Sequence, residues 1–328
     1  MTCADPAPSP NRVTATLESP LRARLSRNGT FRADVREVVR IATSTSATAC
    51  IASSTGVDLP VASRTIEGAD RVGADGEVTY VVDDALAVLT LDRPEADNAL
   101  TLGMLRDLAE GIAAAVREEV VQAIVIVGAG ERAFCAGGDL GELLPRLTDG
   151  ELGNLVPGPD MRFMSDVDKP VIAAANGACV AAGLELLLGT DIRVAADHAV
   201  FGLHEVRWGL VPGGGSHARM PRQVPRTFAM KLLLTGDHVP AQRAFEAGLI
   251  DEAIPGADVF ERALTIGRRI AENAPFAART TREVAVRALN DEPRFVPEHV
   301  LNPRGMSSDA REGPRTSLRK RPLEFHGR

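Results

Sequence analysis

Two short runs of uninterrupted apolar residues constrain the fold of this 328-residue chain more than any other feature. Residues 123–127 and 171–175 contain no polar side chain, so neither run alternates as a strand with one face in water would. Runs of this length are typical of β-strands that are buried on both faces, which requires helices on both sides of a sheet. The two runs therefore predict an α/β core.

The segments around these runs support that prediction, because strand patterns and helix patterns alternate along the chain. Thr101 is a plausible N-cap for the first predicted helix. The main predicted elements are strands at 78–82, 86–91, 192–195 and 200–202 and helices at 102–119, 184–188, 228–234, 241–247, 259–273 and 276–289. The order indicates an α/β core that is followed by a helical C-terminal region.

Residues 1–74 differ in composition from the rest of the chain. They are rich in Ser, Thr, Ala and Arg and show little sustained periodicity. Such a segment buries too little apolar surface to offset the entropy lost on ordering. We expect a disordered N-terminal extension, and we assign it no function.

Bulk composition narrows the class of protein. The net charge of −7 comes with no dominant basic stripe, so nothing favours a nucleic-acid partner. The four cysteines lack metal-ligand spacing, and Cys135 and Cys179 lie in apolar contexts that predict buried thiols in a reducing compartment. No apolar stretch reaches the roughly 18 residues of a membrane span, and no signal-peptide core follows Met1. We therefore expect a cytoplasmic protein with no membrane partner.

Two glutamates that are twenty residues apart, Glu185 and Glu205, are the strongest candidates for chemistry. Glu185 follows a run of small residues that opens a helix, and Glu205 follows a short apolar strand. Two carboxyl groups in one dry pocket, with unlike environments, suit general acid–base catalysis near neutral pH. Two surface glutamates are the alternative, and the surrounding sequence decides between them.

Three Gly/Ala-rich segments, 133–140, 176–183 and 209–215, lie around these glutamates. The first two each follow an apolar run and precede a helix, where main-chain N–H groups can be approached closely. Two such helix starts that face each other would supply two N–H groups to one oxygen, which is an oxyanion hole. None of the segments matches a dinucleotide-binding or P-loop pattern, although glycine-rich turns alone are common.

Taken in order, several blocks of this sequence resemble the crotonase (enoyl-CoA hydratase/isomerase) superfamily. The matching blocks are 93–100, 134–140, 169–177, 191–195, 201–205, 234–237 and 309–313. The resemblance covers residues 77–328 and implies a spiral of ββα units over 75–255. It also implies a helical region over 256–328 that reaches a neighbouring subunit in a homotrimer or a dimer of trimers.

The resemblance also implies the catalytic residues. Ala136 and Ala182 match the positions whose backbone N–H groups hold the thioester oxygen, and Glu185 and Glu205 match the two acid–base residues. His204 stands where relatives often have proline; it fits a spacer better than a group that shifts the pKa of Glu205. No metal and no cofactor beyond the coenzyme A of the substrate is implied.

The contacts to coenzyme A that the resemblance implies are mostly through the backbone. The matching residues are Ala99, Ala136, Gly137, Gly138, Asp139, Leu140 and Lys320. Asp139 fits equally well as an acid that opens a helix. Lys320 and Arg321 match a basic patch that meets the CoA phosphates, and solvated cations are the alternative.

The function implied by both glutamates is hydration of a 2-enoyl-CoA in fatty-acid β-oxidation or a related acyl-CoA degradation. Glu185 is expected to deprotonate the attacking water and Glu205 to protonate the α-carbon. The alternatives are an enoyl-CoA isomerase or another CoA lyase that uses one glutamate, and a catalytically silent homologue that binds CoA.

Overall fold

The computed structural model describes residues 76–143, 164 and 167–288. The predicted N-terminal extension, the basic patch at Lys320 and Arg321, and the part of the C-terminal region beyond residue 288 lie outside the described residues. Among the helices that are described, none is both long and apolar enough to cross a membrane.

The described strands form two sheets. In chain order they are β1 (Glu77–Asp83), β2 (Leu86–Asp92), β3 (Ala123–Gly128), β4 (Ala133–Cys135), β5 (Val171–Ala175), β6 (Ala178–Val180), β7 (Ile192–Ala196), β8 (Val200–Gly202), β9 (Val239–Pro240) and β10 (Glu252–Ile254). The larger sheet has the order β1-β2-β3-β5-β7-β10, and the smaller has the order β4-β6-β8-β9. Antiparallel pairs occur only at β1–β2 and β8–β9 among these strands.

The described helices are α1 (Leu102–Arg117), α2 (Ala182–Leu188), α3 (Ser216–Gln223), α4 (Arg226–Thr235), α5 (Ala241–Glu246), α6 (Val259–Ala271) and α7 (Pro275–Ala288). Helix α1 packs on β1 and β2, and α6 packs on the larger sheet. The Thr101 side chain accepts a hydrogen bond from the Met104 N–H, which confirms the predicted N-cap.

Successive strand pairs repeat one arrangement, with the first strand in the larger sheet and the second in the smaller. The pairs β3–β4, β5–β6 and β7–β8 all follow this rule. Every residue of β3 and β5 is buried, as the apolar runs predict. The repeat confirms the predicted α/β spiral and stacks the segments that follow β4, β6 and β8 along one side of the fold.

The short strands β9 and β10 have no predicted counterpart, and three further short elements also differ from the sequence-based prediction. The segments that we predict as Gly/Ala-rich turns contain the three-residue strands β4 and β6, which pair in parallel with each other. Helix α3 has no predicted counterpart, and it carries Pro221 inside a mostly polar stretch. All three elements lie beside the candidate site.

A buried lysine caps the C-terminal end of α1. The Lys169 side chain is fully buried, and its Nζ donates to the carbonyl oxygens of Ala115 and Glu118, each at 2.6 Å. These carbonyls belong to the end of a helix, where the intrahelical partners run out.

Lys169→Met should lower the free energy of unfolding by about 2–3 kcal/mol, because it removes two hydrogen bonds from a charged donor and leaves two carbonyls unpaired. Urea unfolding followed by circular dichroism measures the change. Lys231→Met, on the exposed face of α4, is the matched control and should change stability by less than about 0.5 kcal/mol. Equal stability for both variants would contradict the capping role.

Candidate active site

The turn after β4 lies directly against the start of α2. A Cβ placed on Gly137 would lie 2.8 Å from the Ala181 Cβ and 3.5 Å from the Ala182 nitrogen. Gly137 has a φ of +110°, a backbone conformation that side chains rarely adopt. Only glycine therefore fits at this position, and its small size lets the two Gly/Ala-rich segments meet.

Two backbone N–H groups at this junction are free to bind an oxygen. Ala182 is the first residue of α2, and its N–H has no hydrogen-bond partner within the described residues. The Gly138 N–H is likewise unpaired there. Its neighbours are held by Leu100, which donates to the Gly137 carbonyl at 2.7 Å and accepts from the Asp139 N–H at 2.8 Å. In such a bridge the intervening N–H points away from the partner strand.

The prediction that Ala136 supplies an oxyanion-hole N–H is wrong. The Ala136 N–H donates to the Asp97 carbonyl oxygen at 3.0 Å, so it is already paired. The sequence places Ala136 in the right turn, but only the contact with the loop at Asp97 shows which of its amides remains free. The N–H of Gly138, two residues later, has no partner among the described residues.

Glu185 is held in place by a ring of hydrogen-bond donors. It lies in α2, is 3 % exposed, and its Oε2 accepts from the Gly214 N–H at 2.8 Å. Its Oε1 accepts from the Ser216 N–H at 3.1 Å and from the Ser216 Oγ at 2.7 Å. All of these donors come from the third Gly-rich segment and the start of α3. They match a carboxylate, which accepts hydrogen bonds and has none to give.

Ser216 was not singled out from the sequence, although a signal exists. A hydroxyl residue that directly follows three glycines and begins a helix can place both its N–H and its Oγ on one acceptor. The acceptor here lies 31 residues away in the chain, so the pairing itself is a tertiary contact.

Glu205 has a different environment. It is the first residue of a short 3-10 helix (Glu205–Trp208) that follows β8, and it is half-buried. Burial raises the pKa of Glu205 to about 7; a backbone hydrogen bond acts in the opposite direction, and the charge of Glu185 raises the pKa further. Its buried Oε2 has no hydrogen-bond partner among the described residues. The structure thus gives the two carboxyl groups the unlike surroundings that the sequence predicts.

Asp139 is occupied by structural contacts. Its Oδ2 pairs with the Arg93 Nη1 at 2.7 Å, and its Oδ1 accepts from the Glu142 N–H at 2.9 Å. The hydrogen bond from Arg93 lowers the pKa of Asp139. These contacts favour the alternative of a helix-opening acid.

Of the other residues predicted to meet CoA, Leu140 is 58 % exposed beside this turn. The CoA contacts of Ala99, Gly137, Gly138 and Leu140 remain predictions.

Burial and contacts also describe the two cysteines and His204. Cys135 and Cys179 are free, buried thiols, as predicted, and burial raises the pKa of Cys135 to about 12. The His204 Nδ1 lies 3.1 Å from the His238 Nε2, so His204 is more than a spacer. Within the described part of the chain, no cluster of three His, Cys, Asp or Glu side chains is placed to hold a metal ion.

A spiral of ββα units with free amides beside two unlike carboxyl groups defines the crotonase class of proteins. A family model described as Enoyl-CoA hydratase/isomerase matches residues 82–328, and the chain belongs to this family.

Similar proteins include the enoyl-CoA hydratase EchA19 of Mycobacterium tuberculosis, which is 35 % identical over 249 residues. That match covers 74 % of this chain and 93 % of the relative. The 2,3-dehydroadipyl-CoA hydratase of Escherichia coli is 34 % identical over 248 residues, which cover 74 % of this chain and 95 % of the relative.

Solved structures of enoyl-CoA hydratases have the same fold as this chain. A crystal structure of enoyl-CoA hydratase from Bacillus anthracis superimposes with a TM-score of 0.70 at 28 % identity, covering 78 % of this chain and 100 % of the other. Enoyl-CoA hydratase from Mycobacterium tuberculosis superimposes with a TM-score of 0.68 at 32 % identity, covering 77 % and 99 %.

Proposed function

We propose that this protein is an enoyl-CoA hydratase, which adds water across the 2,3 double bond of a 2-enoyl-CoA thioester. The relatives named as hydratases support this reaction. The observation that carries the proposal is the contrast between the two glutamates. Glu185 accepts three hydrogen bonds, whereas burial raises the pKa of Glu205 to about 7. One group suits a base and the other an acid at neutral pH.

The thioester oxygen is bound by the N–H groups of Gly138 and Ala182. Polarising this carbonyl makes the β-carbon electrophilic and lets enolate charge collect on the oxygen. Two amides that point at this oxygen stabilise the charge, and each donor of this kind contributes about 3–4 kcal/mol in the transition state. Neither N–H has a partner across the described ranges, which supports this assignment.

One glutamate accepts a proton from the attacking water, and the other donates a proton to the substrate. Glu185 takes one proton as the water oxygen forms its bond to the β-carbon, and the electron pair of the double bond moves into the enolate. As the enolate collapses, Glu205 gives its proton to the α-carbon. The product is a 3-hydroxyacyl-CoA, and proton exchange with solvent restores both carboxyl groups.

The partners and setting follow from this reaction. The substrate is an acyl-CoA thioester, and its coenzyme A is the only cofactor that the proposal needs, because amides polarise the carbonyl and carboxyl groups move the protons. We extend the proposal to a homotrimer or a dimer of trimers in the cytoplasm, acting in fatty-acid β-oxidation or a related degradation.

The test is incubation of the purified full chain with crotonyl-CoA, followed through the absorbance of the conjugated thioester. A saturable loss of absorbance with formation of 3-hydroxybutyryl-CoA is expected. Conversion of a 3-enoyl-CoA without hydration of crotonyl-CoA would instead indicate an isomerase. CoA binding without any turnover would indicate a silent homologue, and either result contradicts the proposal.

A further inference from the structure

The 3-10 helix that carries Glu205 is tied to one neighbouring segment on both sides of that residue. On one side, the His204 Nδ1 lies 3.1 Å from the His238 Nε2. On the other, the Arg207 Nη2 pairs with the Asp237 Oδ1 at 2.5 Å. The Arg207 Nε also donates to the Thr235 carbonyl oxygen at 3.2 Å. Residues 235–238 therefore contact the positions immediately before and two after Glu205.

Residues 235–238 are themselves well anchored. Gly236 ends α4 with a φ of +66°, and its N–H donates to the Leu232 carbonyl at 3.1 Å. The Asp237 N–H donates to the Thr235 Oγ1 at 3.1 Å. The next residue, Val239, begins β9, which pairs with β8 directly before the 3-10 helix. The segment can therefore act as a fixed support.

Glu205 needs such a support more than Glu185 does. The carboxylate of Glu185 is oriented by three donors, whereas the buried Oε2 of Glu205 has no partner within the described residues. Because one oxygen of the Glu205 carboxyl lacks a partner among the described residues, the position of this group depends mainly on the backbone of its 3-10 helix.

The close packing at Gly202 supports the same point. A Cβ at Gly202 would collide with the His238 ring and lie 3.0 Å from the Asp237 carbonyl oxygen. The end of β8 and residues 235–238 thus leave no room for a side chain between them.

We propose that residues 235–238 form a clamp that positions Glu205, with His204, Arg207, Asp237 and His238 as positioning residues. The proposal rests on the hydratase function and adds to it the element that places the proton donor against the α-carbon. In this role the four residues act through the backbone of the 3-10 helix.

The charges around the clamp are compatible with this role at neutral pH. A hydrogen bond between two imidazole rings requires that one of them accepts, so at least one ring must be neutral. Burial, the charge of His238 and the charge of Arg207 all lower the pKa of His204. Arg207 and Asp237, the charged groups on either side of the clamp, form an ion pair with each other.

The test compares Asp237→Ala, His238→Phe and the double variant in crotonyl-CoA hydration. Each single variant should lower kcat by about 3- to 10-fold and the double variant by about 30-fold or more, since small displacements of a catalytic group are costly. KM should stay within about twofold of the wild-type value, because the clamp positions the proton donor and does not bind the substrate. Asp237→Glu and His238→Gln, which keep the contacts, should stay within about threefold of the wild type.

The pH profile separates positioning from mere stability. A loosened 3-10 helix admits water to Glu205, so its raised pKa falls and the alkaline limb of kcat/KM moves to lower pH by about half a unit or more. Thermal melting of every variant confirms that the folded protein is assayed. His198→Phe is the matched control; His198 lies on an exposed loop and bonds to the Glu131 carbonyl.

The outcomes distinguish the two proposals. An active wild type whose double variant keeps its kcat and its alkaline limb, with only a lower melting temperature, overturns the clamp alone. An equal loss in His198→Phe also overturns it. A wild type with no hydration activity contradicts the proposed function, and the clamp falls with it.

Discussion

Glu185→Gln is expected to lower kcat for crotonyl-CoA hydration by about 10³-fold, because an amide cannot take the proton of the attacking water. Steady-state rates with the purified variant measure the effect. KM should change little, since Glu185 acts on the water and not on the thioester or the nucleotide. The loss should therefore appear almost entirely in kcat.

Two further variants separate chemistry from structure. In Glu185→Gln, the amide nitrogen replaces one of two oxygens that accept from the Gly214 N–H and from Ser216, so melting curves must accompany the rates. Glu185→Asp keeps a carboxylate but withdraws it from the reacting carbon, and it should fall between the wild type and the glutamine variant. Glu119→Gln, on an exposed turn, should retain full activity.

The same variant discriminates between the candidate reactions. A Glu185→Gln protein that still hydrates crotonyl-CoA within about tenfold of the wild type would refute Glu185 as the base. An isomerase that runs on Glu205 alone should instead keep its conversion of a 3-enoyl-CoA.

Glu205→Gln is expected to lower kcat by about 10²- to 10³-fold and to remove the alkaline limb of the pH profile. Burial raises the pKa of Glu205 to about 7, so the protonated, donating form prevails below that pH and is lost above it. In the wild type, hydration kcat/KM should therefore fall as the pH rises through about 7. The glutamine variant has no proton to lose there, and its residual rate should be flat.

The pH profile also tests the assignment of the limb. If the alkaline limb persists in Glu205→Gln, it belongs to another group, and the proton donor must be sought elsewhere. Glu252→Gln is a suitable control, because the Glu252 carboxylate pairs with Arg262 on the surface and should leave both kcat and the limb unchanged.

Much of the architecture was predictable from local patterns. Residues 123–127 and 171–175 are apolar throughout. A short run without any polar side chain is typical of a strand that is covered on both faces, and both strands are fully buried. Helix α1 was predictable because Thr101 caps it and its apolar side chains recur at helical spacing.

The errors arose where local composition hides a tertiary contact. Strands β4 and β6 are three residues long, and their small side chains look like turns until the two strands pair. Helix α3 is mostly polar and contains Pro221, so its helical form depends on packing against α2 and α4. Neither the β4–β6 strand pair nor the packing of α3 produces a periodic pattern of apolar residues in the sequence.

The sequence by itself determined the α/β class, the family resemblance and the pair of carboxyl groups, because these depend on residue type and order along the chain. Only the tertiary structure decided which amide lacks a partner among the described residues and how the surroundings of the two glutamates differ. Ala136 and Gly138 are equally good donors in sequence, but the Ala136 N–H is paired with the Asp97 carbonyl, whereas the Gly138 N–H has no partner in the part of the chain that the structure describes. Likewise, Glu185 and Glu205 differ only through their surroundings, since hydrogen bonding and burial are properties of neighbours brought together by folding.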